Sequence, residues 1–143
     1  MAERLMERPV EAHRTRRETV PNAAYQAYSI LYAAFIVLPI VAGADKFFNF
    51  LVDWTRYLSP LAVSAVGGRA ELFMKFVGVV EIFAGFLVAI KPRLGSLVVG
   101  VWLLGIVGNL LSIPGFYDVA ARDAGLACGA FALWRLSAYF REY

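Results

Sequence analysis

Four long apolar stretches dominate this sequence and decide what kind of fold it can adopt. They run from about Tyr25 to Ala44, Leu72 to Ile90, Leu94 to Ile113 and Val119 to Phe140. A helix needs about 20 apolar residues to cross a hydrocarbon core of roughly 30 Å, and backbone groups in lipid must be hydrogen-bonded within their own segment. The sequence therefore predicts an all-α integral membrane four-helix bundle over residues 25–143, preceded by a cytoplasmic tail, residues 1–24.

The composition supports lipid as the solvent of this chain and excludes several kinds of chemistry. Sixty per cent of its 143 residues are hydrophobic, and the mean hydropathy is +0.63. Cys128 is the only cysteine and His13, in the tail, the only histidine. An intrachain disulfide, a CxxC pair and a haem or metal held by membrane-embedded His or Cys are therefore not expected. No basic stripe interleaved with aromatics points to a nucleic-acid partner.

The distribution of positive charge predicts how the helices are oriented. Nine of the 14 lysines and arginines flank one side of a four-span topology, in the tail, at Lys91 and Arg93, and at Arg135 and Arg141. Because cytoplasmic loops carry the excess of Lys and Arg, both chain ends are predicted to be cytoplasmic. The expected surroundings are a bacterial inner membrane, crossed several times.

The connection between the first two apolar stretches has a helical pattern of its own. One face would carry Phe47, Phe50, Leu51, Trp54 and Leu58, and another Lys46, Asn49, Asp53 and Arg56. An amphipathic helix rich in aromatics suits the membrane interface. We expect such a helix here, followed by an apolar piece, residues 61–66, that is too short to span.

Glu81 is the most informative single residue, because it lies near the centre of the second apolar stretch. A charge at that depth costs at least roughly 2.5 kcal/mol, so the side chain must face the bundle interior, pair with a cation or be protonated. One interpretation is a carboxyl that exchanges protons or binds a ligand, and the other is a structural glutamate. Lys75, six residues away, is poorly placed to pair with it. A cation from another helix or from the connection fits better.

Further polar residues fall on the same outer side in the predicted topology and suggest a pocket with Glu81 at its floor. The candidates are Glu81, Asp45, Lys46, Lys75, Asn109, Arg122 and Asp123. The alternative is that these charges are ordinary helix-end residues, and that Asn109 is a hydrogen-bonding residue between helices. Among the aromatics, Trp54, Tyr57, Trp102 and Trp134 could line a quinone or lipid site or belong to the interface belt and core.

Small residues in the last two apolar stretches predict close helix packing. Gly125 and Gly129 form a GxxxG motif in the fourth stretch, and Gly100, Gly105 and Gly108 occur in the third. Glycines let helix backbones approach each other, within one bundle or between subunits. The motif does not identify a partner.

The sequence resembles the DoxX-like family of small bacterial membrane proteins from about residue 28 onward. The resemblance rests on Ala42 to Phe47, on Trp54, Tyr57, Leu58 and Pro60, on Gly78 to Gly85, on Lys91 to Arg93 and on Asp118 to Asp123. It implies four transmembrane helices. It also implies a role as a subunit of a thiosulfate:quinone oxidoreductase or of a membrane assembly linked to redox stress, without a catalytic motif to carry over.

Three functions remain open from the sequence. The first is a non-catalytic accessory subunit of a larger membrane complex, for example a respiratory one, that packs against other membrane subunits through Gly125 and Gly129. The second is a quinone-linked oxidoreductase subunit in which Glu81 exchanges protons. The third is a small transporter or lipid-binding protein that uses the same pocket.

Overall fold

The computed structural model describes the backbone of residues 3–140 and the side chains of residues 22–140. Five α-helices and one 3₁₀ helix, Trp54–Tyr57, make up this part of the chain, which contains no strand. The α-helices are α1 (Glu3–Asp45), α2 (Pro60–Ala65), α3 (Ala70–Ile90), α4 (Pro92–Leu111) and α5 (Tyr117–Phe140). The all-α class predicted from the sequence is confirmed. His13 and the basic residues of the tail lie outside the described side chains.

Three of the helical segments are long and apolar enough to cross a membrane. They are Asn22–Asp45 within α1, the whole of α3 and the whole of α4. Their outward faces are apolar, as shown by the exposed side chains of Ile30, Phe76 and Phe83. A lipid environment accounts for such faces, so the chain is a membrane protein with a helical bundle. The 24-residue α5 packs with these helices, and its role as a fourth span stays a prediction.

The long helices pack as two antiparallel pairs, α1 with α3 and α4 with α5. In the first pair, a Cβ atom at Gly43 would lie 2.5 Å from the Gly78 carbonyl oxygen, and one at Gly78 would lie 2.5 Å from the Gly43 carbonyl oxygen. Only glycine at both positions permits this crossing. Toward the other end of the pair, the Tyr32 hydroxyl donates a hydrogen bond to the Ala89 carbonyl at 2.8 Å.

The two pairs join around one hydrophobic core in the half of the bundle near Lys91. Phe35 of α1, Ala84 and Val88 of α3, Val99 of α4, and Ala130 and Leu133 of α5 form this core cluster. Gly95 of α4 lies against the backbone of Val88, next to the tight turn between α3 and α4. These contacts close the bundle at that end and leave the other end to be covered by a different part of the chain.

Residues 46–69, which we call the capping segment, lie over the other end of the bundle. The predicted amphipathic helix of this connection is wrong, because residues 46–53 form turns and bends and only Trp54–Tyr57 form a short 3₁₀ helix. The Asp45 carboxylate accepts hydrogen bonds from the backbone N–H groups of Phe50 and Leu51 at 3.0 and 3.1 Å. Asn49 has a positive φ of 49°. These contacts turn the chain back toward α1. The aromatic residues are therefore spaced as in a helix but do not lie on one helix face.

Candidate functional site: an apolar cavity with a buried ion pair

A cavity of about 720 Å³ lies between the helices in the half of the bundle beneath the capping segment. Its floor reaches the core cluster at Phe35, Ala84 and Val99, and its top reaches Tyr57 and Leu58 of the capping segment. Ligand sites in proteins commonly enclose roughly 300 to 1,000 Å³ and combine an apolar wall with a few polar groups. The polar side chains of this wall are Lys46, Glu81, Asn109, Arg122 and Asp123, together with the polar edges of its aromatics.

Lys46 and Glu81 form a buried ion pair in the cavity wall. The Lys46 Nζ atom lies 2.5 Å from Glu81 Oε2, and the two side chains are only 3% and 12% exposed. The glycine crossing of Gly43 and Gly78 places the end of α1 against α3 one turn away from both residues, and this sets the reach of the lysine. A mid-helix carboxylate is therefore balanced by a cation from the chain that follows α1, as expected for a charge removed from water.

The Lys46 ammonium group has partners on three sides. Besides Glu81, it donates to the Ala42 carbonyl at 3.4 Å and lies over the Trp54 ring, 3.7 Å from its centroid. An ammonium group has three N–H donors, and the face of a tryptophan ring attracts a cation. The lysine is thus fully engaged by the protein and has no free donor for a ligand.

Asp45, next in the chain to Lys46, holds Trp54 in place rather than lining the cavity. Its Oδ2 atom accepts a hydrogen bond of 2.7 Å from the Trp54 indole N–H. The same carboxylate accepts the backbone bonds of the capping segment described above. Asp45 is buried and is absent from the cavity wall. It is a structural residue that positions the aromatic ring over Lys46.

Arg122 and Asp123 form a second ion pair, on α5. Arg122 Nε donates to Asp123 Oδ1 at 3.1 Å, and the arginine side chain is 63% exposed while that of Asp123 is 10% exposed. Both residues line the cavity. Asp123 faces the interior and interacts electrostatically with Glu81, whereas its cationic partner extends to the outside.

Trp102 of α4 stands next to the Glu81 carboxylate. Its ring lines the cavity, and its indole N–H interacts with Glu81 without reaching hydrogen-bonding geometry. The Nε1 atom is enclosed and has no hydrogen-bond partner within residues 22–140. The partial positive charge of this N–H therefore adds to the stabilisation that Lys46 gives the carboxylate.

Asn109 ties α4 to the capping segment. Its side-chain N–H₂ donates to the Tyr57 carbonyl at 2.6 Å, and its Oδ1 accepts from the Ser59 backbone N–H at 3.0 Å. Both ends of the amide are used by the protein, so of the two interpretations offered for Asn109 the structure favours the hydrogen-bonding link. The link joins the capping segment to a helix rather than two helices to each other.

Five of the seven candidate pocket residues therefore come together in one wall, and two do not. Lys46, Glu81, Asn109, Arg122 and Asp123 line the cavity, whereas Asp45 lies behind Trp54. Lys75 is exposed on the outer face of α3 and forms no ion pair within the described residues. Of the four aromatics considered, Trp54, Tyr57 and Trp102 line the cavity. Trp134 instead lies 5.6 Å from the Arg135 guanidinium.

The predicted packing glycines divide into two groups. Gly100 lies under the Phe131 ring of α5, and Gly129 lies against Phe35 of α1. Cβ atoms added at Gly105, Gly108 and Gly125 would meet nothing within 4 Å, so the bundle does not use these three for packing. The Gly43–Gly78 crossing was not predicted from the sequence. Its signal was a glycine near the same depth in each of two adjacent apolar stretches.

Part of the cavity wall is exposed on the outside of the bundle. Helices α1 and α5 touch in the half near Lys91, where Tyr25 and Tyr28 contact Phe140. Nearer the capping segment, Leu38 of α1 and Arg122 of α5 both line the cavity and are exposed to the surroundings of the bundle. The wall is thus continuous with the outer surface of the helices.

Asp53, outside the helical spans, caps the 3₁₀ helix of the capping segment. Its carboxylate accepts from the Thr55 hydroxyl at 2.6 Å and from the Thr55 backbone N–H at 3.0 Å. The Thr55 hydroxyl bond, followed by the backbone bond, holds the pKa of Asp53 below its usual value.

The side chains described provide no group of three His, Cys, Asp or Glu residues that could hold a metal ion. Searches against known protein families, curated proteins and solved structures found no significant match to this chain. The site must therefore be interpreted from its own geometry.

Proposed function

We propose that the chain is a membrane-embedded binding protein for a small amphipathic molecule. One observation carries the proposal: a large, mostly apolar cavity whose wall contains a buried, already neutralised ion pair. An apolar wall suits an alkyl or ring body, and a few fixed polar groups orient a head group. This is the lipid-binding form of the third function considered from the sequence.

The exposure of Leu38 and Arg122, which both line the cavity, supports access from the membrane. In our proposal α5 is the fourth span, which places this exposed part of the wall within the lipid. The stretch from Ala124 to Trp134 carries no charge, and a helix of 24 residues is about 36 Å long at about 1.5 Å per residue. Both chain ends would then lie in the cytoplasm of a bacterial cell, with the cavity in the outer half of the membrane.

The proposal is tested by filling the cavity from one residue. Gly105 lines the cavity and Gly108, one turn further along α4, does not, although an added Cβ meets nothing at either position. We expect native mass spectrometry of protein extracted in mild detergent to show a bound amphiphile in the wild type and in Gly108→Phe. Gly105→Phe should lose it at unchanged helical content.

Two results would contradict a binding function. One is a wild-type protein that carries no bound molecule and takes up none of a panel of alkyl amphiphiles. The other is equal occupancy in Gly105→Phe and Gly108→Phe. Ala42→Phe, which fills the cavity from α1, provides a second variant should Gly105→Phe fold poorly.

A second candidate is the accessory subunit of a larger membrane complex, which the resemblance to the DoxX-like family also favours. The observation behind it is that Gly108 and Gly125 are exposed and unused within the bundle. Glycines on an outer helix face allow close approach of another helix. If a partner binds there, Gly125→Leu should release it in mild detergent, whereas Asp118→Asn on the same helix should not.

The quinone-linked function receives less support from the geometry. A carboxyl that exchanges protons with a quinone needs freedom to gain and lose charge, and Lys46 holds Glu81 in an ion pair. A quinone would still fit the apolar wall, and it would then be a bound molecule rather than a proton partner of Glu81.

A further inference from the structure

We propose that the cavity takes an amphiphile with a single positive charge, a long-chain ammonium compound, whose head group lies between Glu81 and Asp123. The inference rests on the proposed binding function and names the ligand class of that site. It follows from the charges of the cavity, from the oxygens that face into it, and from the position of Arg122.

The buried side chains around the cavity hold more negative charge than positive charge. Within residues 22–140, the buried carboxylates are Glu81 and Asp123 in the wall and Asp45 behind Trp54, and the buried cation is Lys46. Arg122 also lines the cavity, but its side chain is largely exposed. Burying a net charge is unfavourable unless a counter-charge accompanies it. A head group with one positive charge would reduce the negative excess, and an anionic head group would increase it.

The oxygens that face the cavity are hydrogen-bond acceptors without partners. Glu81 uses Oε2 for Lys46, and Asp123 uses Oδ1 for Arg122. Neither Glu81 Oε1 nor Asp123 Oδ2 has a hydrogen-bond partner among the side chains described, and neither is enclosed by protein atoms. Lys46 has no free donor, and the remaining N–H groups of Asn109 and Arg122 form no hydrogen bond with these two oxygens. The two carboxylate oxygens are therefore acceptors that the donors of a ligand head group can bind.

The two carboxylates line the same cavity and carry like charges, which repel each other. Glu81 lies on α3 and Asp123 on α5, and each keeps about a tenth of its side chain accessible. Asp123 is only weakly neutralised, because its partner Arg122 is largely exposed and exposed ion pairs contribute little. An ammonium group placed between the two carboxylates would relieve this repulsion and donate to both.

The experiment compares four probes with the same alkyl chain and different head groups: dodecylamine, dodecanol, dodecanoic acid and dodecyl phosphocholine. Dodecylamine is cationic at pH 7, since an alkyl ammonium titrates near the lysine value of about 10.4. Each probe is offered at equal concentration to the full chain in a neutral maltoside detergent, and its bound fraction is measured by native mass spectrometry. We expect dodecylamine to bind about tenfold to a hundredfold more tightly than dodecanol, the range of one charge-assisted hydrogen bond.

The variant Asp123→Asn isolates the head-group contact. Its partner Arg122 is exposed, so the change leaves no buried cation, whereas Glu81→Gln would strand Lys46. We expect Asp123→Asn to weaken dodecylamine about tenfold or more and to leave dodecanol within about twofold. Asp118→Asn, an exposed carboxylate on the same helix outside the cavity, is the matched control and should change neither.

The outcomes separate this inference from the proposed function. Equal binding of all four probes, abolished by Gly105→Phe, would refute the ammonium preference and leave the binding function standing. Tightest binding of dodecanoic acid, or binding of the zwitterionic dodecyl phosphocholine equal to that of dodecylamine, would also refute it. If no probe binds the wild type, the binding function fails and the inference fails with it.

Discussion

Removing one member of the Lys46–Glu81 ion pair is predicted to destabilise the fold strongly, whereas removing both is not. The side chains are 3% and 12% exposed and their charged atoms lie 2.5 Å apart, so solvent screens the pair very little. Breaking a buried pair costs about 3 to 5 kcal/mol, since the remaining charge has no counter-charge. Against a total stability of roughly 5 to 15 kcal/mol, that loss is large.

The two single variants differ in what they leave behind. In Lys46→Met, Glu81 keeps only the neighbouring Trp102 N–H and faces the negative Asp123, so a loss near 5 kcal/mol is expected. In Glu81→Leu, Lys46 keeps the Trp54 ring and the Ala42 carbonyl, so a loss nearer 3 kcal/mol is expected. The double variant replaces a buried pair by apolar side chains and should lie within about 2 kcal/mol of the wild type.

The assay is a double-mutant cycle on reversible unfolding in mixed micelles, followed by helical circular dichroism. The difference between the double variant and the sum of the single variants measures the coupling of the pair. We expect a coupling of at least about 4 kcal/mol. If either single variant loses less than about 1 kcal/mol, or if the losses simply add, the pair is not an isolated buried ion pair and the reasoning is refuted.

Three further predictions concern other parts of the bundle. Gly78→Ala should cost about 1 to 3 kcal/mol of unfolding free energy because the helices must separate, whereas Gly108→Ala should be neutral or stabilising; equal effects in the same unfolding assay would contradict the crossing. Asn109→Leu should cost about 1 to 3 kcal/mol and speed hydrogen exchange in the capping segment; unchanged exchange would refute the link. Because the pKa of Asp53 is lowered in the fold, its capping contribution is complete above the usual carboxyl pKa of 3.8 and is lost as the pH falls below it. Exchange of the Thr55 amide should therefore gain a dependence on acid that Asp53→Asn removes.

The helices could be predicted from the sequence because lipid imposes simple rules on composition and length. The predicted second stretch, 72–90, differs from α3 (Ala70–Ile90) by two residues, and the third, 94–113, is shifted by two from α4 (Pro92–Leu111). Such differences are normal, since helix ends depend on local capping contacts. Of the outcomes considered for Glu81, the structure shows pairing with a cation from outside its own helix, Lys46.

The capping segment could not be predicted by the same rules. The aromatic spacing of residues 46–58 fits a helix, but Asp45 binds the backbone of Phe50 and Leu51 and ends the helical path there. The charge-assisted hydrogen bonds that one carboxylate accepts are strong. Together they stabilise the turn more than the periodic spacing of the aromatics stabilises a helix. Hydrogen bonds of this kind depend on three-dimensional placement and leave no period in the sequence.

The sequence predicted seven polar residues for the candidate site, and five of them line the cavity. Lys75 was included because the predicted topology places it on the same side of the membrane as the other candidates, but its position on the outer face of α3 turns it away from the cavity. Trp102 and Trp54 were predicted either to line a site or to belong to the interface belt and core. Their contacts with Glu81, Lys46 and Asp45 became visible only in the packed structure. Whether a residue lines such a site depends on the direction in which its side chain points from the helix, and not only on its position along the helix axis.

The division of the bundle into an α1–α3 pair and an α4–α5 pair has a mechanical consequence. Backbone contact at the glycine crossing makes the first pair nearly rigid, while the two pairs meet less extensively at α1–α5 and α3–α4. The aromatic contacts of Tyr25 and Tyr28 with Phe140 lie at the end of the bundle far from the cavity. They are the point about which the two helix pairs would rotate. A small rotation about that contact would move Leu38 and Arg122 apart and leave the ion pair intact, because Lys46 directly follows α1 and Glu81 lies on α3.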